Sequence, residues 1–271
     1  MEIKNKTVII TGGARGIGKS LAAEFIRHGA NVVIADKRGT ELKITATELG
    51  ILGLECDVTK EKQINQLVER VLLELGSIDI FVSNAGISIG EKEHSASASN
   101  KTWKSYWKLH VMAHVYAARA VLPKMIKKKQ GCLVQVISAA ALLSQIGDAA
   151  YSATKHAALG FAESLAITHK KDGINVCAVC PQYVSTKMLG YESDHNNDLP
   201  TGVKTPLEIA KSVVSDIKSE KFLILPHPEV YNFMQFKNQS YDQWILQMSK
   251  LRERLIRKNK KLDIKSIHKM I

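Results

Sequence analysis

Long hydrophobic runs are missing from this sequence of 271 residues. No apolar stretch approaches the roughly 20 residues that a helix needs to cross a bilayer, which argues against a membrane-spanning protein. The first residues, MEIKNKTVIITGG, enter a β-branched segment almost at once. We therefore expect no secretory signal peptide and predict a cytoplasmic protein.

Cysteine is scarce as well, with only four residues: Cys56, Cys132, Cys177 and Cys180. This number suits a reducing compartment rather than a disulfide framework. The last two cysteines form a CxxC, but the motif lies within INVCAVCP, which has the composition of a buried strand. Side chains three residues apart point to opposite faces of a strand, so we predict four free thiols and no metal site.

Proline is rare, at 6 residues, and no Pro/Gly-rich linker or internal repeat divides the chain. With 45% hydrophobic and 24% charged residues, the composition is that of an ordinary globular protein. We therefore expect residues 1–271 to form a single domain.

Positive charge is in excess, at +12, and much of it lies near the C-terminus. Between Lys250 and Ile271 there are nine Lys and Arg residues against two acids. Such a tail is typical of a solvated helix end, although weak contact with an anionic surface stays open. No aromatic residue lies among these charges, and we predict no nucleic-acid partner.

A basic amphipathic extension is predicted over about residues 227–271. Its apolar residues recur at i, i+4, i+7 and i+11, as in a helix with one apolar stripe. We expect this stripe to pack on the body of the protein or on a second subunit. The stripe consists of Trp244, Met248, Leu251 and Leu255.

Strand-like and helix-like segments alternate from the first residues onward. TVIIT, ANVVIAD, IDIFVSNAG and GCLVQVIS are rich in Val and Ile without polar alternation, as in strands buried on both faces. Helical spacing separates them, and one long helix is predicted over TWKSYWKLHVMAHVYAARAVLPKMIKKK. Repeated βα units predict a three-layer α/β/α Rossmann fold with a doubly wound, mostly parallel sheet and a C-terminal helical extension.

Two polar stretches follow the carboxyl ends of strands, where open α/β sheets bind ligands. The first is ISIGEKEHSASASNK, which we interpret as a loop. The second, at about residues 183–204, is rich in Gly, Asn and Asp with apolar residues embedded. A long loop at this place is a candidate lid.

A glycine-rich segment, TGGARGIG, joins the first strand to the first helix. Its glycines permit a tight turn and close approach of the backbone to a pyrophosphate, beside the positive end of the helix dipole. Asp36 ends the second strand, where a carboxylate can accept hydrogen bonds from ribose hydroxyls and repel a 2′-phosphate. The neighbouring Arg15, Lys37 and Arg38 make NADP possible beside the favoured NAD.

Several further motifs stand in order behind this loop. Asp57–Val58 follows the third strand, Asn84–Ala85–Gly86 follows the fourth, and Ser138 lies thirteen residues before Tyr151. Tyr151 and Lys155 form YxxxK. From Thr7 to about Ala210 the chain resembles the short-chain dehydrogenase/reductase family.

The resemblance implies an enzyme with Ser138, Tyr151 and Lys155 as catalytic residues. It also implies a dinucleotide site in which Asp57–Val58 contacts the adenine and Thr186 anchors the nicotinamide carboxamide. The implied cofactor-binding residues are Gly12, Arg15, Gly16, Ile17, Gly18, Asp36, Lys37, Asp57, Val58, Asn84, Ala85, Gly86, Tyr151, Lys155, Pro181, Val184 and Thr186.

Acid–base chemistry explains the residue types. A phenol has a pKa near 10, which is too high for a base at neutral pH, so we expect Lys155 and a cationic nicotinamide to lower the pKa of Tyr151. Lys155 lies one helical turn after Tyr151 and could also bond the nicotinamide ribose. Ser138 would orient the substrate oxygen and stabilise its developing charge.

The chain departs from the family pattern at three places. His110 stands where the family usually has an Asn that helps to link the catalytic Lys to solvent. A histidine can also donate and accept hydrogen bonds, so His110 is a candidate catalytic residue. His114 follows one turn later, but without a third ligand we expect no zinc site.

Gln182 replaces a usual Gly beside the active site, where it could narrow the pocket or bind substrate. The C-terminus lacks the usual Gly-Gly segment of the family's tetramer. We therefore expect a homo-oligomer, with a homodimer through the long central helices favoured.

Together these features predict an oxidoreductase that interconverts a secondary alcohol and a ketone with NAD. A dehydratase or epimerase of the same fold, and a non-catalytic regulatory protein that binds the cofactor, stay open as alternatives. Pocket candidates lean apolar and suggest a lipophilic small molecule such as a steroid-like or fatty alcohol. They are Leu142, Leu143, Gln182, Met188, Leu189 and Tyr191, beside Ser138.

Overall fold

The computed structural model describes residues 1–91, 93–192, 199–259, 263 and 267–269. Strands and helices alternate along the chain, as the hydrophobic pattern predicts. The strands are β1 (Thr7–Thr11), β2 (Asn31–Asp36), β3 (Leu52–Glu55), β4 (Ile80–Ser83), β5 (Gly131–Val136), β6 (Ile174–Val179), β7 (Tyr183–Val184), β8 (Val203–Lys204) and β9 (Leu223–Ile224). The helices are α1 (Gly16–Arg27), α2 (Gly39–Leu49), α3 (Glu61–Leu75), α4 (Asn100–Trp107), α5 (Ala113–Lys128), α6 (Ala140–Leu143), α7 (Ala149–His169), α8 (Pro206–Lys218), α9 (Glu229–Gln239) and α10 (Tyr241–Asn259).

Seven of the strands form one sheet in the order β3-β2-β1-β4-β5-β6-β9, and every neighbouring pair is parallel. Ile9 of β1 is in register with Val33 of β2 on one side and with Phe81 of β4 on the other. The strand order reverses between β1 and β4, which opens a crevice at their carboxyl ends. The predicted doubly wound Rossmann fold is confirmed.

Apolar side chains cover both faces of this sheet. Ile9 and Val33 belong to the cluster on one face, whereas Ile10 and Ile34 belong to the cluster on the other. Burial on both faces is the reason that the strands show no polar alternation. In β6 and the residue after it, the two CxxC thiols lie in opposite clusters, as predicted from strand geometry.

The predicted long helix contains an interruption that its sequence pattern does not reveal. Between α4 and α5, residues Lys108–Met112 form a π-helical turn. A π-helical turn widens the winding of the chain, and such turns often occur at functional sites. Here it contains His110, whose side chain is fully buried.

The C-terminal extension packs on the body of the same chain. Trp244 of α10 lies with Leu143 and Val230 in one apolar cluster, and Leu255 lies with Tyr183 in another. The predicted apolar stripe is therefore confirmed, with the body of the protein as its partner. Residues 260–262, 264–266 and 270–271 of the basic tail lie outside the described residues.

The predicted lid is anchored at both ends by a short parallel ladder. Tyr183 pairs with Val203 and Val184 with Lys204, so β7 and β8 hold the ends of the intervening loop together. Part of that loop, residues 193–198, lies outside the described residues. Within the described part of the chain, no helix is long and apolar enough to cross a membrane.

Candidate active site

A cleft of about 480 Å³ opens at the carboxyl ends of the central strands. It is lined by the glycine-rich loop at one end and by Ser138, Tyr151 and Lys155 at the other. Most of the residues predicted from the sequence therefore share one cavity. Those that line it are Gly12, Arg15, Gly16, Ile17, Asp36, Lys37, Asp57, Val58, Asn84, Ala85, Gly86, Ser138, Tyr151, Lys155, Pro181, Gln182, Val184, Thr186, Met188 and Leu189.

The glycine-rich loop has no room for side chains at two of its glycines. Gly12 has φ +65°, and a Cβ there would lie 2.9 Å from the Cα of Ala85. A Cβ on Gly18 would lie 2.2 Å from the carbonyl oxygen of Gly12. Gly18 does not line the cleft, and its part is to let α1 pack closely against the turn that does.

Asn84 holds this turn against the sheet. Its side-chain amide donates to the carbonyl oxygens of Thr11 at 2.9 Å and Gly12 at 3.1 Å, and its backbone N–H donates to the hydroxyl of Thr11 at 3.0 Å. The loop is therefore fixed from β4 as well as from β1.

At Arg15 no side chain caps the start of α1, and the first turn contains no acid. A pyrophosphate fits the backbone N–H groups and the helix dipole at such a place.

Asp36 lines the cleft and is already engaged within the protein. Its carboxylate is only 3% exposed and accepts two bonds from the Arg38 guanidinium, at 3.0 and 2.9 Å. It also accepts the backbone N–H of Ala14 at 3.3 Å. The sequence indicated both residues, but the ion pair between them is visible only in the structure. It places a guanidinium next to the carboxylate predicted to bind the ribose.

Asp57 follows β3 and accepts bonds from the backbone and hydroxyl of Thr59, at 3.0 and 2.7 Å. Burial opposes ionisation, but these hydrogen bonds and the charges of Lys37 and Lys60 hold the pKa of Asp57 below its usual value. The turn that presents Asp57 and Val58 to the cleft is therefore fixed by its own side chain.

Ser138, Tyr151 and Lys155 meet at the other end of the cleft. Ser138 follows β5, and α7 carries the other two residues one turn apart, with the Lys155 ammonium 5.4 Å from the centre of the Tyr151 ring. Burial raises the pKa of Tyr151 to about 12, while a hydrogen bond with Ser138 acts in the opposite direction. Burial lowers the pKa of Lys155 to about 8.

This result differs from the expected lowering of the phenol pKa. Removal of the phenolate from water outweighs the hydrogen bond with Ser138, so the pKa of Tyr151 lies above its usual value instead of below it.

His110 lies behind the cleft wall and does not line the cleft. Its Nε2 accepts the backbone N–H of Ile87 at 3.3 Å, and its Nδ1 lies 3.0 Å from the hydroxyl of Thr154. Burial and the charge of Lys155 keep its pKa well below the usual value, so the ring is neutral. It contacts Tyr151 edge-to-face, at 5.3 Å between ring centres, and so supports the Tyr151 ring.

His114 is directed elsewhere than His110. Its Nδ1 hydrogen bonds to the side-chain oxygen of Gln135, and burial lowers its pKa to about 3. The two rings therefore have separate partners, and in the described residues no cluster of three metal-ligating side chains is present.

Three of the predicted substrate residues, Leu142, Leu143 and Tyr191, have their contacts elsewhere. Leu142 packs into the apolar cluster with Leu143 and Trp244, because the C-terminal extension covers α6. Tyr191 turns to the C-terminal segment, where its hydroxyl lies 2.8 Å from Nε2 of His268. None of these three residues is among those that line the cleft.

Gln182 does line the cleft, and the segment around it is held by His227. The backbone N–H of Gln182 donates to Nδ1 of His227 at 3.1 Å, and Nε2 of His227 donates to the carbonyl oxygen of Tyr183 at 3.0 Å. The cleft is also lined by residues that the sequence did not single out as substrate contacts. They are Ile87, Ser88, Ser105, Leu109, Gln145, Tyr183 and Glu192.

Asp148 and Tyr106 were also missed, although they support Tyr151 directly. Asp148 caps α7 and accepts the backbone N–H of Tyr151 at 3.2 Å. An Asp immediately before an Ala-rich helix is a recognised N-cap signal and could have identified it. No comparable signal marks Tyr106, because its contacts with Asp148 and Tyr151 join segments that are distant in the sequence.

The comparisons with known proteins identify the family of this chain. A family model described as short chain dehydrogenase matches residues 6–197. The chain is 34% identical to oxidoreductase UcpA of Salmonella typhimurium over 78% of this chain and 81% of that protein. It is 32% identical to epidermal retinol dehydrogenase 2 of Homo sapiens over 86% of this chain and 77% of that protein.

A further relative is 1-deoxy-11-beta-hydroxypentalenate dehydrogenase of Streptomyces exfoliatus, which is 29% identical over 90% of each chain. Among solved structures, a short chain dehydrogenase/reductase from Burkholderia phymatum in complex with NAD superposes with a TM-score of 0.81. That protein is 23% identical, over 90% of this chain and 96% of its own, and shows the same fold. The chain is thus an enzyme of the short-chain dehydrogenase/reductase family.

Proposed function

We propose that this protein interconverts a secondary alcohol and a ketone, with Tyr151 as the general acid and base and NAD as the favoured cofactor. The observation that carries the proposal is the presence of Ser138, Tyr151 and Lys155 on the wall of the same cleft as the glycine-rich loop. A structural role alone requires neither this combination nor a cavity that joins it to a phosphate-binding turn.

The dinucleotide would lie along the cleft, with its pyrophosphate at the start of α1 and its adenosine beside Asp36 and Asp57. When bound, it would supply the hydride acceptor and, in its oxidised form, a positive charge at the nicotinamide end. The NAD complex of the Burkholderia phymatum protein supports this choice of cofactor. Arg38, paired with Asp36, is the residue that would tolerate the extra phosphate of NADP.

Each residue of the catalytic set has a separate task. In its phenolate form Tyr151 accepts the hydroxyl proton of the alcohol, and in the reverse direction the phenol returns that proton. Ser138 donates to the substrate oxygen as charge develops there. Lys155, whose ammonium lies 5.4 Å from the centre of the Tyr151 ring, would favour the phenolate by its positive charge.

The substrate end of the cleft favours a lipophilic alcohol. Ile87, Leu109 and Met188 supply apolar wall, while Gln145 and Gln182 supply a few polar groups. Such a lining orients an apolar ligand through a small number of hydrogen bonds. The relatives named for retinol and for a hydroxypentalenate support this substrate class.

The test is reduction of NAD and of NADP by the purified protein with a panel of secondary alcohols that differ in size and polarity. We expect turnover that is faster with NAD and increases with the apolar surface of the alcohol. Tyr151→Phe should lower kcat by at least about a thousandfold, because it removes the proton-transferring group. Tyr231→Phe is the matched control, since Tyr231 is 49% exposed on α9 and should keep full activity.

Equal turnover by wild type and Tyr151→Phe would refute the assignment of Tyr151. Stabilisation by NAD without net reduction of NAD by any alcohol would favour a dehydratase, an epimerase or a regulatory protein instead.

A further inference from the structure

Asp148 is a buried carboxylate beside the catalytic tyrosine. Its side chain is 1% exposed, and in the described residues it takes part in no ion pair. A buried charge without a counter-ion is unfavourable unless hydrogen bonds replace its water. The hydrogen-bond donors around Asp148 therefore indicate which parts of the structure its carboxylate holds together.

Four donors surround the carboxylate. Its Oδ1 accepts the backbone N–H of Tyr151 at 3.2 Å. Its Oδ2 accepts the hydroxyl of Tyr106 at 2.9 Å, the hydroxyl of Ser88 at 3.0 Å and the backbone N–H of Gly90 at 3.0 Å. Asp148 thus joins the start of α7, the loop after β4 and α4 at a single point, which we call the Asp148 clamp.

The loop after β4 is held to this point by further bonds. The backbone N–H of Ile89 donates to the hydroxyl of Tyr106. Glu91 donates its backbone N–H to the carbonyl oxygen of Gly147 at 2.8 Å, and its carboxylate accepts the N–H of Ala149 at 3.0 Å. Because Ser88 lines the cleft, the clamp ties a wall of the cleft to the turn that carries the catalytic tyrosine.

The clamp also reaches the tyrosine ring. Tyr106 contacts Tyr151 edge-on at 6.2 Å between ring centres, and its own hydroxyl is fixed by Asp148. The position of the ring and that of its backbone therefore depend on the same carboxylate.

The charge of Asp148 acts on the phenol as well. The titratable groups that face Tyr151 are Lys155 on its own helix, Tyr106 and His110 on the long helix, and Cys180 after β6. Of these only Lys155 is charged at neutral pH, because burial keeps His110 neutral and Cys180 protonated. A negative charge near the phenol opposes the positive charge of Lys155, since it disfavours the phenolate.

We propose that Asp148 is a positioning residue that fixes Tyr151 against the loop after β4 and, through its charge, sets the pH range over which Tyr151 exchanges its proton. This inference rests on the proposed function. The Asp148 side chain thus has two effects, hydrogen bonding and charge, and different substitutions can remove each of them separately.

The test is the pH dependence of kcat/KM for alcohol oxidation in Asp148→Asn and Tyr106→Phe. Asn caps helices about as well as Asp, so α7 should form in the first variant. We expect its plateau to fall by roughly tenfold, because Tyr151 loses part of its support. The acid limb, which is the part of the profile where kcat/KM falls as the pH decreases, should move to lower pH. The reason is that the negative charge of Asp148, which opposed the phenolate, is gone.

Tyr106→Phe is the matched control. It removes one hydrogen bond of the clamp but keeps the carboxylate charge, which then has one donor fewer. We expect a lower plateau and an acid limb that stays in place or moves to higher pH. A role in folding alone would lower both plateaus and move neither limb.

An Asp148→Asn limb that coincides with the wild-type limb would overturn the proposal, and so would equal acidic shifts in the two variants. If Asp148→Asn does not fold, Asp148→Ser supplies a second neutral N-cap for the same comparison. If the wild type oxidises no alcohol, the proposed function fails by itself. Amide hydrogen exchange at Ile89 and Gly90 then decides the clamp, because unchanged protection in Asp148→Asn would refute it.

Discussion

Gly18 offers a quantitative test of how the glycine-rich loop is built. It lies inside α1, where alanine is intrinsically preferred by about 1 kcal/mol. In this structure, however, a Cβ at Gly18 would lie 2.2 Å from the Gly12 carbonyl oxygen and 2.7 Å from the side-chain nitrogen of Asn84. The carbonyl belongs to the turn that is proposed to hold the pyrophosphate, and the Asn84 side chain donates hydrogen bonds to that turn.

The clash involves backbone on one side, so rotation of a side chain cannot relieve it. Forcing an extra methyl group into a packed site costs about 1–3 kcal/mol, and contact with backbone favours the upper end of that range. After the gain in helix propensity is subtracted, Gly18→Ala should lower the free energy of unfolding by about 2 kcal/mol. The turn must also move, so the variant should lose most of its affinity for NAD.

Gly160→Ala is the matched control. Gly160 also lies inside a helix, α7, and a Cβ there would meet nothing within 4 Å. The same chemical change should therefore raise the free energy of unfolding by about 0.5–1 kcal/mol. Urea unfolding measures both variants, and the change in melting temperature on addition of NAD reports the affinity.

The expected difference between the two variants is thus about 3 kcal/mol, with opposite signs. Equal stability of the two, or full stabilisation of Gly18→Ala by NAD, would show that the turn can yield and that close packing of α1 is not what shapes it.

Two further predictions concern parts of the molecule away from the loop. His114 is held neutral with a pKa of about 3, below its value in the unfolded chain. Its contribution to stability is complete above about pH 6.5 and is lost toward pH 3 at up to about 1.4 kcal/mol per pH unit, so His114→Gln should flatten the acid side of the stability profile in urea unfolding. Leu255 is 1% exposed, and Leu255→Ala should cost about 2 kcal/mol in thermal unfolding, whereas Leu246→Ala, at 45% exposure, should change little.

The parts of the fold that the sequence predicted well depend on local patterns. Uninterrupted Val and Ile runs such as TVIIT identify strands buried on both faces, and the glycine spacing identifies the turn after the first strand. Tyr151 and Lys155 were predictable because both lie on one helix, where a spacing of four residues fixes their relative placement.

The parts that could not be predicted depend on contacts between distant segments. Asp148 and Tyr106 are separated by 42 positions, and their hydrogen bond joins the start of α7 to α4. Asp36 and Arg38 are close in the sequence, but their ion pair could not be predicted, because the sequence is equally compatible with either side chain facing the cofactor alone. The directions of the two side chains decide between these alternatives, and the spacing of residues in the sequence does not reveal those directions.

Leu142 shows how the C-terminal extension affects the cleft without lining it. Leu142 follows Ser138 closely in the chain and is apolar, which made it a reasonable wall residue. In the structure Trp244 of α10 packs on the same cluster, and Leu255 packs on Tyr183, which does line the cleft. The extension therefore removes one apolar residue from the wall and supports another. Its effect on substrate choice should pass through Tyr183 rather than through direct contact, because no residue of α9 or α10 lines the cleft in the described part of the chain.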